Sequence, residues 1–181
     1  FKKFNINADL PPYLSMALGA GETTLVKITA AYGQLVNGGL KVSPSLIDRV
    51  QDRYGKTIMR HDNRRCQDCV VGSGWKKQNV PTLPDDREQL TDPASAYQII
   101  TMLEGVIKRG TGRKLQETGL VLAGKTGTTN DNYDAWFIGF TTNLVIGVYI
   151  GYDTPKTLGK FETGSKAALP IFKDFVENAL Y

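Results

Sequence analysis

The sequence predicts an α+β fold in which an antiparallel sheet is packed with helices. Residues 22–39 and 92–109 space their apolar side chains at the helical period and run into glycine-rich stops. Residues 120–152 change to strand composition, broken by a short polar turn, and residues 167–180 return to a helical period. Helices and strands therefore come in blocks instead of alternating βα units, which is the α+β pattern.

The first helix is read in ETTLVKITAAYGQLVNGG, where Leu25, Ile28, Tyr32, Leu35 and Val36 recur on one face and Asn37-Gly38-Gly39 stops it. Residues 41–60 hold two β-rich runs on either side of Arg53-Tyr54-Gly55-Lys56, a short antiparallel pair with Gly55 in its turn. Residues 61–90 carry Pro81 and Pro84, several Asp, Asn and Gly, and no sustained period, and are read as a long loop or insertion. Asp92-Pro93 then gives an N-cap and a first helical position. Ala96, Ile99, Ile100, Met102, Leu103, Val106 and Ile107 form the apolar side of that helix, and Arg109-Gly110-Thr111-Gly112 ends it. A short helical piece is expected over 113–117 and strands over 120–123, 133–141 and 144–152, with Thr142-Asn143 as a tight hairpin. The closing helix, 167–180, presents Ala168, Ile171, Phe172 and Phe175 on one side.

Composition removes several function classes. Lys and Arg number 22 against 18 Asp and Glu, a net charge of +4, and the charges are dispersed without the long same-sign runs of nucleic-acid-binding tails. No nucleic-acid partner is expected. The longest run almost free of polar side chains, LVIGVYIGY, is less than half of the ~20 residues that span a bilayer. The chain opens on FKKFNINADL, without an initiator Met, a signal segment, a cap or a strand signal, and is read as an excerpt of a longer protein. One histidine, His61, in the 61–90 stretch argues against a Ser-His-Asp triad.

Cys66 and Cys69 form a CxxC in a polar stretch of turn composition. A zinc site needs four ligands, and only His61 lies nearby. A disulfide or free-thiol pair in a surface loop is favoured over a metal site completed elsewhere, and that over redox chemistry.

The chemistry concentrates in Ala123-Gly124-Lys125-Thr126-Gly127-Thr128-Thr129-Asn130. A KTG at a strand end is one of the motifs of active-site serine enzymes such as class A β-lactamases and penicillin-binding proteins. Gly124 and Gly127 let a substrate backbone lie against the strand. Lys125 supplies a cation near a nucleophile, Thr126 and Thr128 supply hydroxyls for a carboxylate, and the Thr128 N–H an oxyanion donor.

Around the motif, residues 92–159 resemble the C-terminal part of the transpeptidase domain of class A, bifunctional penicillin-binding proteins, most of all the 1A type of Gram-negative bacteria. The resemblance is specific at Arg109-Gly110-Thr111-Gly112, at Lys125 to Thr129, at Asp134-Ala135-Trp136-Phe137-Ile138-Gly139 and at Gly151-Tyr152-Asp153. LSMALGAGETTLVKITAAYGQLVNGG looks like the family segment that follows its second motif, so residues 11–180 are covered. The resemblance implies a partial β-lactamase-like fold and a serine-type D,D-transpeptidase that cross-links peptidoglycan stem peptides on the periplasmic side of the bacterial inner membrane. It implies β-lactam antibiotics as acylating ligands, the remainder of the parent transpeptidase domain as a partner, and no cofactor or metal. By it Lys125 and Thr128 are catalytic, and Thr126, Gly127 and Thr128 bind substrate.

The sequence departs from the family pattern in one respect, since no SxN triplet occurs in it. One SxxK exists, Ser73-Gly74-Trp75-Lys76, but Ser73 stands between glycines without a helical period. A nucleophile there would lack the helix turn that puts Lys beside Ser. The family's SxxK and SxN are therefore expected before Phe1, and this chain alone is expected to be inactive. The alternative is a non-catalytic interaction or regulatory module with a CxxC-stabilised loop. Trp136 and Phe137 are read as core residues, Asp134 as a strand-edge carboxylate in preference to one that orients the loop after the motif, and Gly110 and Gly112 as a helix stop and close backbone approach that the resemblance implies lies near the active-site cleft.

Overall fold

Thr24 starts the first helix, α1 (Leu25–Val36), by accepting the Lys27 N–H on its hydroxyl at 3.3 Å. Gly38 and Gly39, both left-handed, turn the chain away after Asn37. The computed structural model describes residues 2–7, 9–64 and 83–179, and the chain divides into two units, Phe1–Val42 with Gln89–Tyr181, and Ser43–Glu88.

The smaller unit contains a hairpin of β1 (Arg49–Gln51) and β2 (Thr57–Arg60), antiparallel with an irregularity between Val50 and Gln51. The Asp52 carboxylate accepts the N–H groups of Tyr54 and Lys56, both at 2.9 Å, and Gly55 takes φ +81°. A side chain at that φ would be strained, so the glycine is what lets the turn close. Cys66, Cys69, Ser73 and Lys76 lie outside the described residues.

In the larger unit Asp92 caps α2 (Pro93–Arg109), its carboxylate accepting the Ser95 N–H at 3.0 Å, with Pro93 in the first turn. A 3-10 turn, Arg113–Thr118, follows as expected. The sheet is β3 (Ala123–Thr128), β4 (Ala135–Phe140) and β5 (Val145–Ile150), all antiparallel in that order, and α3 (Ala168–Ala179) closes it. Between β4 and β5 the Thr141 hydroxyl accepts the Asn143 and Leu144 N–H groups, which makes the tight turn expected at 142–143.

The register sorts the strand residues onto two faces. Lys125 pairs with Ile138 and Ile138 with Gly147, and Gly147 lies against Leu25 and Thr29 of α1. Thr126 pairs with Phe137 and Thr128 with Ala135, and the Phe137 ring meets Phe172 of α3 edge-on at 4.9 Å. Helix, sheet and helix thus form three layers. The core on the α3 face holds Ile107, Leu115, Leu122, Ala135, Phe137, Ala168, Leu169, Phe172 and Val176.

Three expectations shift. The strand read at 120–123 begins only at Ala123 and runs through the KTG, because left-handed Gly119 and the Thr118 hydroxyl, which accepts the Leu120 N–H, bend the chain at 120 and keep 120–122 out of the sheet. Leu122 still buries in the core. On α3, Ala168, Leu169, Phe172 and Val176 face inward, while Ile171 and Phe175 are about half exposed, since spacing by four along the helix fixes the stripe that meets the sheet. On α1 the fully buried positions are Ala31 and Gln34, and Leu25, Ile28, Tyr32, Leu35 and Val36 are half-buried. Among the described residues no helix is long and apolar enough to cross a membrane.

Candidate active site

The motif occupies an edge strand. β3 pairs with β4 alone among the described strands. Lys125 is exposed, and its Nζ donates to the carbonyl oxygen of Thr126 at 2.8 Å. Period-two alternation puts Lys125 and Gly127 toward the α1 face and Thr126 and Thr128 toward the α3 face, so the cation and the two hydroxyls flank the strand from opposite sides. A ligand lying along the edge would meet both sets.

Each hydroxyl is engaged by a distant segment. Thr111 Oγ1, in the loop after α2, stands 2.9 Å from Thr126 Oγ1. Thr128 Oγ1 accepts the N–H of Gly164 at 3.0 Å. Gly164 is buried, and a Cβ there would strike the main-chain oxygens of Trp136 and Gly127. Thr111 was legible within Arg109-Gly110-Thr111-Gly112, as a helix stop and a stretch of the family resemblance, while Gly164 was not singled out.

The segment behind the motif is fastened too. Thr129 N–H donates to the Asp134 carbonyl oxygen at 3.2 Å, and the Asp134 N–H donates to Thr129 Oγ1 at 2.8 Å. Asp131 and Asn132 take φ of 57° and 53° inside that turn, and the Asn132 side-chain amide donates to the Gly159 carbonyl. The Asp134 carboxylate accepts the Tyr149 hydroxyl at 2.9 Å, and this holds the Tyr149 pKa above its ordinary value. Trp136 packs on the Tyr149 ring with centroids 4.5 Å apart. Phe137 is buried in the core, whereas Trp136 is half-buried on the Lys125 face.

His61 is exposed, and among the described residues no group of three or more His, Cys, Asp and Glu is arranged to hold a metal ion. Among the described residues the motif brings together hydrogen-bonding groups and the Lys125 cation.

A family model described as the penicillin-binding protein transpeptidase domain matches residues 11–177. This chain belongs to that family. Among its penicillin-binding relatives, penicillin-binding protein 1A of Rickettsia prowazekii is 49% identical over 179 residues, 98% of this chain and 23% of that protein. Penicillin-binding protein 1A of Neisseria meningitidis is 41% identical over 175 residues, 96% of this chain and 20% of that protein. The chain thus spans about a quarter of the length of these relatives. The crystal structure of penicillin-binding protein 1A from Haemophilus influenzae superposes with a TM-score of 0.79 at 28% identity, covering 99% of this chain and 30% of that one. The transpeptidase fold places the α+β reading and the 1A-type resemblance on firm ground.

Proposed function

We propose that this chain supplies the KTG wall of a penicillin-sensitive D,D-transpeptidase that cross-links peptidoglycan stem peptides. The observation that carries the reading is the exposed Lys125 on an edge strand whose two neighbouring hydroxyls, Thr126 and Thr128, are fixed from outside the strand. The similarity of the chain to penicillin-binding proteins 1A supports the same conclusion.

In the proposed reaction a serine outside this chain attacks the carbonyl of the penultimate D-Ala. The carbonyl oxygen takes up negative charge, and the Thr128 N–H donates to it. The C–N bond then breaks and the terminal D-Ala leaves with a proton. The acyl-serine is next attacked by an amine of a second stem peptide, which forms the cross-link and frees the serine. Lys125 supplies positive charge beside the nucleophile, and the Thr126 and Thr128 hydroxyls bind the terminal carboxylate over Gly127. β-Lactams imitate the D-Ala-D-Ala unit and acylate the same serine.

The working protein is a longer one, on the periplasmic side of the inner membrane, with the SxxK and SxN outside this chain. Labelled penicillin tests the reading. Covalent labelling of the full-length protein, lost when its SxxK serine is replaced, is expected. Labelling of the 181-residue chain alone would show that the nucleophile is inside it. A full-length protein that never labels favours a binding module.

A further inference from the structure

We propose that Gly164 is a positioning residue of this site, its backbone N–H turning the Thr128 hydroxyl so that the hydroxyl proton is presented to the carboxylate of the acyl donor. The inference rests on the transpeptidase reading above. A threonine hydroxyl has one proton and two lone pairs, and its rotor is otherwise free to serve as donor or acceptor. Here the Gly164 N–H, 36 residues away in the chain, occupies a lone pair of Thr128 Oγ1 at 3.0 Å. The hydroxyl proton must then point away from Gly164. What remains for a ligand is the proton and one lone pair, and the proton, polarised by the bond the oxygen accepts, is the donor a carboxylate needs. A carboxylate, which only accepts, matches it.

The placement of Gly164 is built into the core rather than into a mobile loop. The Leu169 N–H donates to the Gly164 carbonyl at 2.9 Å, and the Lys166 and Ala167 N–H groups donate to the Thr163 carbonyl at 2.9 and 2.8 Å. These turns lead directly into α3, whose Ala168, Leu169 and Phe172 are buried against the sheet. Glycine is required because the peptide lies on the Gly127–Trp136 pair so closely that a Cβ would collide with main-chain oxygens of both. Packing of α3 is thereby relayed to one hydroxyl rotor on β3.

The test uses the full-length protein and two ligands, benzylpenicillin and its methyl ester, which masks the carboxylate but keeps the β-lactam. Binding and acylation steps are resolved for the wild type, Gly164→Ala, Thr128→Val and the double variant. Gly164→Ala and Thr128→Val are each expected to weaken the benzylpenicillin binding step about tenfold or more, the size of one charge-assisted hydrogen bond. In both variants the loss should be larger for benzylpenicillin than for the ester, and the double variant should be no worse than Thr128→Val. No acylation of the wild type by either ligand overturns the transpeptidase reading and the inference with it. Normal wild-type acylation with Gly164→Ala slowing both ligands alike, slowing neither, or multiplying the Thr128→Val loss overturns the inference alone. If Gly164→Ala does not fold, amide hydrogen exchange decides. Thr128→Val should speed exchange of the Gly164 N–H and erase discrimination between acid and ester, while Thr128→Ser keeps both; unchanged exchange in Thr128→Val overturns the inference.

Discussion

The hydroxyl oxygens of Thr111 and Thr126 lie 2.9 Å apart, which ties the loop that ends α2 to the second residue of the KTG. Gly110 and Gly112 allow that loop to fold back on the helix, since a Cβ at Gly112 would reach the Ile107 side chain at 2.6 Å. The motif strand is therefore steadied at Thr126 by the α2 side of the molecule and at Thr128 by the α3 side.

Replacing Thr111 with Val keeps the shape and removes the hydroxyl partner. The pair is exposed, so stability should change by no more than about 1 kcal/mol. Penicillin acylation of the full-length protein should fall severalfold, mainly in the binding step, and Thr111→Ser should restore it. Unchanged kinetics in Thr111→Val would remove any role for this contact in orienting Thr126.

Lys125→Ala separates chemistry from folding. Among the described residues the ammonium donates to a carbonyl of its own strand, and the side chain is exposed, so its removal leaves no cavity. Acylation should drop on the order of 10²–10³-fold, as expected for loss of a group that stabilises developing charge. The circular dichroism spectrum and melting temperature should stay close to wild type. Acylation at the wild-type rate would strip Lys125 of its assigned role.

Much of this architecture is legible in the sequence because local signals and long-range packing agree there. Asp92-Pro93 both announces α2 and caps it, and Asn37-Gly38-Gly39 ends α1 where the glycines adopt positive φ. The start of β3 was misplaced because 120–122 has strand composition, while the decision is made by Gly119 and Thr118 one turn earlier. The inward face of α3 was misread for a related reason. Ile171 and Phe175 are as apolar as Phe172, and only the approach of Phe172 to Phe137 and Gly139 selects the stripe. The candidate site divides the same way. KTG is a contiguous motif, but the bonds of Thr111 and Gly164 to its strand span 15 and 36 residues, and that of Tyr149 to Asp134 behind it spans 15, so none of these pairings is a local signal.

Phe172 couples core and site. It is fully buried, stacked edge-on against Phe137, and sits one helical turn beyond Ala168 in the helix that Gly164 introduces. Phe172→Ala should destabilise the domain by about 3–5 kcal/mol, measured by denaturant unfolding. Phe172→Leu should recover most of the loss. A cost below about 1 kcal/mol for the alanine variant would show that this core relaxes freely and that α3 is a poor scaffold for Gly164.

The α2 cap gives a pH signature. Hydrogen bonds from Ser95 hold the Asp92 carboxyl below its ordinary value of 3.8. A depressed native pKa means that the stability contributed is complete above 3.8 and is lost as pH falls through the lower native value. The melting-temperature gap between wild type and Asp92→Ala should be constant near neutral pH and shrink in acid. A gap that stays flat down to the acid limit of folding would show that the charged form of Asp92 is not what caps the helix.

Tyr149 gives the opposite sign. Its hydroxyl donates to the Asp134 carboxylate, and a phenolate beside that carboxylate would lose the bond and gain repulsion, so the native pKa lies above 10.0. A raised native pKa contributes stability that is present below 10.0 and disappears as pH rises through the native value. Tyr32 is also raised, by burial, so spectrophotometric titration should show both Tyr149 and Tyr32 ionising late. Tyr149→Phe should remove one of them and retain the ring contact with Trp136. Asp134→Asn should return Tyr149 toward 10.0 while leaving Tyr32 late. Because the main chain of Asp134 closes the turn onto Thr129, both variants should also loosen the end of the motif strand. Faster amide exchange at Thr129 would register that loosening. A Tyr149 titration indifferent to Asp134→Asn would mean that the carboxylate does not hold the phenol, and that the turn behind the KTG is fixed by its backbone bonds alone.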